Sequence, residues 1–209
     1  MITNSDKPSK KALDLLLKYE VGGGRDYYEK YLSKFTWPGG ASGPTIGIGI
    51  DCAYYSEDEL SNIFSFLKKE EIELIKSASG KSSERGREYT KKLRAAGITI
   101  QWEKAKEIFE NLTWTKFTKL AEKTFPGLSD LCPDAYGAIV SLVFNRGTSL
   151  VGEKRLEMRN IRVLIPKKDY KKIAHEIRQM KRIWRGKNLD GLIERRESEA
   201  LLVESCSNI

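Results

Sequence analysis

Between Pro133 and Phe144 the chain offers a helix with no wet side. Tyr136, Ile139, Val140, Val143 and Phe144 form one stripe at helical spacing, and Ala138 and Leu142 make the back apolar too. A helix apolar all round is a central, buried one, so the rest of the chain must supply helices that wrap it. Pro133 suits the first helical position and Gly147 the C-cap. Asn145 and Arg146 then stand at an end where they can face a cleft. Asn145 reads either as an amide capping free backbone carbonyls or as a substrate contact.

The surrounding sequence supplies the wrapping. Ala12 to Glu20 is helical by period, with Leu13, Leu16 and Leu17 on one stripe, ended by Gly22-Gly23-Gly24. Ser56-Glu57-Asp58-Glu59 is a capping box, opening a helix with Ile63, Phe64, Leu67, Leu74 and Ile75 as buried positions. Residues 79–97 read as a solvated basic helix. Thr99 is the expected N-cap of a long helix from Ile100 to about Thr124. Arg155 to Ile165 and Asp169 to Trp184 give two basic helices split by Pro166. In the last helix, Leu189 to Val203, Arg196 turns partly inward with Glu199 as its partner, and Arg195, Arg196 and Glu199 read as structural ion pairs.

Thr45-Ile46-Gly47-Ile48-Gly49-Ile50-Asp51 departs from this helical pattern. Read as a strand, its isoleucines share one face while Gly47 and Gly49 leave the other bare, as close approach by a ligand requires. The competing reading is a tight β-bend packed under a helix. Thr45 and Asp51, six residues apart, share a face if the strand is regular. Glu20 follows Leu13, Leu16 and Leu17 by seven, four and three residues, so its carboxyl continues the apolar face. A carboxyl held there keeps its proton towards neutral pH and can serve as a general acid, the alternative being an ion-paired glutamate at a helix end.

A helix ending in Glu20, a turn with Tyr27 and Tyr28, and then Thr-Ile-Gly-Ile-Gly resembles the catalytic signature of phage-type lysozymes, the endolysins of glycoside hydrolase family 24. Val143-Phe144-Asn145-Arg146-Gly147 is similar to that family's central-helix ending, and Gly191 to Ala200 to its C-terminal helix. The resemblance implies an α+β, mostly α-helical, lysozyme-like fold, with a small β-hairpin lobe, a larger helical lobe and a cleft between them. It implies one lysozyme-like domain over residues 1–209, with the hairpin lobe at about 21–55, a helical insertion at 56–98 and the helical lobe at 99–209. The implied reaction is muramidase action, hydrolysis of the β-1,4 bond between N-acetylmuramic acid and N-acetylglucosamine in peptidoglycan.

Glycoside hydrolysis needs a protonated carboxyl on the leaving oxygen and a second group that activates water or stabilises the oxocarbenium ion. Glu20 is the expected acid, and Thr45 would orient the water. The family places an Asp nine residues after the Glu; here that position is Glu29, with Asp26 nearby. Asp51 is the rival second group, its place at the end of this stretch resembling goose-type lysozymes, and it is preferred to Glu29. If the phage-type likeness holds, the reaction inverts the anomeric centre across carboxyls roughly 6.5–9.5 Å apart. Tyr28, Trp37, Gly47, Asn145 and Arg146 are the expected substrate contacts. The aromatic cluster around Tyr28 and Trp37 reads first as packing for a small lobe, with stacking on sugar rings as the alternative.

Composition limits the alternatives. The 209 residues carry a net charge of +8, which suits an anionic cell-wall surface and would weaken with salt. Nucleic-acid binding is not expected, because the basic residues are scattered without a recognition motif. No apolar run approaches the ~20 residues of a membrane span. The polar stretch from Met1 to Lys11 does not read as a secretory signal, so the expected route is synthesis in the cytoplasm and release or delivery to the periplasm by another system. Cys52, Cys132 and Cys206 suggest neither a disulfide framework nor zinc, and no cofactor or metal is expected. Cys52 beside Asp51 raises a Cys-His enzyme, which the lone His175 in a basic segment does not favour. A monomer is expected. The alternative function is a non-catalytic wall-binding or structural phage component on the same fold.

Overall fold

The computed structural model describes residues 7–208; the arm expected over residues 1–8 lies almost wholly outside the described residues. Helix α1 (Lys10–Val21) precedes a short helix α2 (Gly24–Tyr27), which continues as a π turn over Tyr28–Leu32. Strands β1 (Thr45–Ile46) and β2 (Ile50–Asp51) follow, and then α3 (Glu57–Ile63), α4 (Lys69–Lys76) and α5 (Ser83–Ala95). Helix α6 (Trp102–Ile108) runs through a π turn at Phe109–Trp114 into α7 (Thr115–Thr124). The chain ends in α8 (Pro133–Arg146), α9 (Leu156–Leu164), α10 (Tyr170–Gln179) and α11 (Asp190–Glu204). The fold is α+β and mostly helical, with a single two-stranded sheet among the described residues.

The chain divides into two compact units. One joins the segment ending at Glu20 to the chain from Glu110 onward; the other is Val21–Phe109. In the first unit α8 is buried at every position from Ala135 to Val143, as its all-apolar surface requires. It packs on α7 and α11, while α10 lies against α9 and α11. Two small residues bring α1 onto α8: a Cβ on Gly137 would stand 2.2 Å from that of Ala12. That contact, with Leu13, Leu16 and Leu17 buried beside it, fixes the end of α1 where Glu20 sits.

The cysteine expectation is corrected here. Cys132, just before α8, is disulfide-bonded to Cys206, just after α11, across 74 residues of sequence, and Cys52 stays free and buried. A spacing that long carries no signal; the pair meets only because α8 and α11 pack together. Closing so large a loop restricts the unfolded chain, a contribution of about 2–4 kcal/mol. Dithiothreitol should therefore lower the unfolding midpoint of wild type but not of Cys132→Ser, and the unreduced native chain should show no reactive thiol. Equal midpoints with and without reductant would count against the bond.

In the second unit Ile46, Ile48 and Ile50 are buried together, with Phe35, Leu60, Phe64, Ile75, Leu93 and Ile98. The continuous strand expected over residues 45–51 is instead a hairpin. Gly47 and Gly49 take φ of +67° and +80° in the turn, a backbone that glycine adopts without strain. These glycines bend the chain. The helix expected from Ser56 through Ile75 is likewise two. Ser56 caps α3 with a reciprocal bond from Glu59, but Lys68 takes an extended backbone and its N–H is held by Glu71, starting α4 anew. Thr99 caps nothing; it bridges to Lys34, and α6 begins after Gln101.

Candidate active site

Glu20 lies on the last turn of α1, seated by its leucines, and its carboxyl meets a cation. Arg195 Nη1 donates to Glu20 Oε1 at 2.8 Å. The Glu20 side chain is 28% exposed, and its Oε2 has no partner among the described residues. The expectation of a carboxyl kept neutral by greasy surroundings is thus replaced by one oxygen fixed on a guanidinium and one left open.

Arg195 is itself held from every side. Its Nη2 reaches the carbonyl and hydroxyl of Ser141 on α8, both at 3.2 Å, and its Nε reaches Glu199 Oε1 at 3.2 Å. Ser141 Oγ and Arg196 Nη2 donate to that same oxygen at 2.7 and 2.8 Å. Arg195, Arg196 and Glu199 are 3%, 0% and 0% exposed, so the network is closed to water. Burial pulls the Arg196 guanidinium below its ordinary range, with Glu199 opposing. The three residues form the ion pairs expected of them; the link from Arg195 to Glu20 was not foreseen, since helical spacing relates neighbours on one helix and not partners on two.

The hairpin of the second unit holds Thr45 and Asp51 opposite one another in register. Cross-strand partners share a face, so the two side chains lie together even though the strand between them is broken. Thr45 also exchanges both backbone hydrogen bonds with Thr36, at 2.7 and 2.8 Å, and its hydroxyl donates to the Gly43 carbonyl at 3.2 Å. The Asp51 carboxylate accepts from Gly43 N–H through both oxygens at 3.0 Å, and from Ala53 N–H at 3.0 Å. Gly43 has to be glycine: a Cβ there would come within 2.7 Å of Asp51 Oδ1 and 2.5 Å of the Ala53 methyl.

Helix α5 supports this loop. Ser42 O accepts from Ser83 N–H at the start of α5, and a Cβ on Gly86 would lie 2.7 Å from that carbonyl. Arg87 of α5 stands over the Trp37 ring at 5.7 Å, and Trp37 Nε1 donates to Ser42 O at 2.9 Å. Trp37 therefore ties the loop to α5. Tyr28, expected as a substrate contact, is 0% exposed, with its hydroxyl on the Ile100 carbonyl and its ring against Trp102. That expectation is corrected to packing.

Glu29 sits on the π turn, 53% exposed and paired with Arg25 at 2.6 Å. It borders an open groove of ≈ 430 Å³ with Ser33, Thr99, Gln101 and Trp102. Asp26 is exposed on α2. Asn145 is exposed and accepts from Arg196 Nη1 at 3.2 Å, whereas Arg146 is half-buried. Cys52 is fully buried, and burial raises its thiol well above its usual range, which disfavours the thiolate a nucleophile needs. Among the described residues no cluster of metal-ligating side chains occurs.

A mostly helical α+β chain, with a small hairpin and an arginine-held carboxyl at the end of its first helix, has the parts of a lysozyme-type hydrolase. The phage lysozyme family model matches residues 78–199, more than half of the chain, and the protein belongs to that family. It is accordingly a glycoside hydrolase type enzyme with peptidoglycan as substrate class. The match covers Asn145, Arg146 and Arg195 and begins after Glu20, Thr45 and Asp51. No curated protein matches the chain.

Proposed function

We propose that the protein is an N-acetylmuramidase, cutting the β-1,4 bond between N-acetylmuramic acid and N-acetylglucosamine with Glu20 as general acid. The observation that carries this reading is the Glu20 carboxyl, fixed through Oε1 by Arg195 and open at Oε2. The open oxygen gives its proton to the glycosidic oxygen as the bond to the anomeric carbon breaks. Thr45 and Asp51 position a water whose oxygen bonds to that carbon, and Asp51 takes the water's proton. Solvent then restores both carboxyl groups.

Asp51 is preferred to Glu29 because it shares a ladder position with Thr45 and its orientation is set by two backbone amides. Glu29 is turned to solvent with Arg25. Release of reducing ends from purified sacculi is the test. Asp51→Asn and Thr45→Ala should each lose on the order of 10²-fold or more, while Glu29→Gln stays near wild type. Loss in Glu29→Gln with activity kept in Asp51→Asn would exchange their roles.

A further inference from the structure

Where α8 ends, basic side chains outnumber the carboxylates that reach them. The Arg146 guanidinium lies 5.0 Å from the Trp184 ring centroid, and Arg196 covers the same ring at 5.7 Å. Arg196 has Glu199 as its counter-charge. Arg146 has no carboxylate partner among the described residues. Its Nη2 donates to the Lys154 carbonyl, and its Nε is buried with no partner.

That carbonyl belongs to the residue before Arg155, whose guanidinium hydrogen-bonds, among the described residues, only to the Met158 sulfur, at 3.5 Å. Glu157, two residues on, is engaged by Arg182. The loop bearing these groups is pinned, because Arg159 Nη1 donates to the carbonyls of Leu150 and Gly152 at 2.9 and 2.8 Å. Burial, then the charges of Arg155 and Arg196, push the Arg146 guanidinium down to about 10. This is the response of a cation short of counter-charge.

We propose that Arg146 and Arg155 form a binding site for an oxyanion, a carboxylate or phosphate group, beside Trp184. A half-buried cation without a carboxylate partner carries an uncompensated desolvation cost, which a bound anion offsets. Guanidinium forks match the planar or tetrahedral oxygens of these two groups, and the outer fork of Arg155 is free to take them. In a wall-cleaving enzyme such oxygens come from carboxylates of the wall's peptides or from phosphate. That choice of source rests on the cell-wall reading above; the site does not.

Thermal unfolding of the full chain tests the site, using inorganic phosphate and a muramyl tripeptide, each against sodium chloride at equal ionic strength. The midpoint should rise with the concentration of at least one of the two anions beyond any rise in chloride. Arg155→Gln should weaken that anion at least tenfold, and Arg155→Lys, which keeps the charge but loses the fork, should fall between. A rise with phosphate alone assigns the site to phosphate, and a rise with the muropeptide alone to wall carboxylates. No anion-specific rise in wild type, or an equal rise in Arg155→Gln, overturns the proposal. Because binding is read and not hydrolysis, a failure of the muramidase reading would show separately, as sacculi that release no reducing ends.

Discussion

Replacing Glu20 with Gln is expected to lower the release of reducing ends from sacculi by about 10²–10⁴-fold, the range for removing a general acid. The amide keeps an oxygen for Arg195 Nη1, so the contact from α11 survives while the transferable proton does not. Unfolding should change by no more than about 1–2 kcal/mol, the charge-assisted share of one hydrogen bond. Sedimentation with sacculi should be unaltered. A Glu20→Gln enzyme that still hydrolyses sacculi removes the acid from the mechanism. Sacculi that bind wild type without being cut would instead establish the non-catalytic wall-binding alternative.

The largest effect on stability should come from Glu199→Ala. Glu199 Oε1 receives bonds from Arg195, Arg196 and Ser141 in a fully buried region. Truncation leaves two nearly inaccessible guanidinium groups short of their shared counter-charge, and breaking a buried ion pair in this way costs about 3–5 kcal/mol. For a chain of this size that corresponds to a fall of about 10 °C in the unfolding midpoint. Activity should fall as well, since Arg195 loses the neighbour that orients it towards Glu20. A Glu199→Gln variant keeps the acceptor oxygen and should recover part of both losses. A midpoint within about 2 °C of wild type in Glu199→Ala would show that the network contributes little.

Much of the fold was legible because the signals were local and periodic. The all-apolar surface of α8, the Ser56 capping box and the Arg196–Glu199 pair each lie within a few residues of sequence, and each is present in the structure. Three of the misreadings share one cause. Cys132 with Cys206, Arg195 with Glu20, and Tyr28 with Ile100 are contacts between distant segments, which no periodicity encodes. The Thr45–Asp51 stretch shows a subtler failure. An even spacing put both side chains on one face, and they do share a face, but through a glycine hairpin in place of the regular strand assumed.

The bond between Glu20 and Arg195 joins residues 175 positions apart. A chain growing from the ribosome presents the acid well before the arginine that holds it. Fragments cut short before α11 therefore carry Glu20 on a helix with nothing to hold its carboxyl. Such fragments should not release reducing ends from sacculi, and activity should arise in one step, when α11 docks.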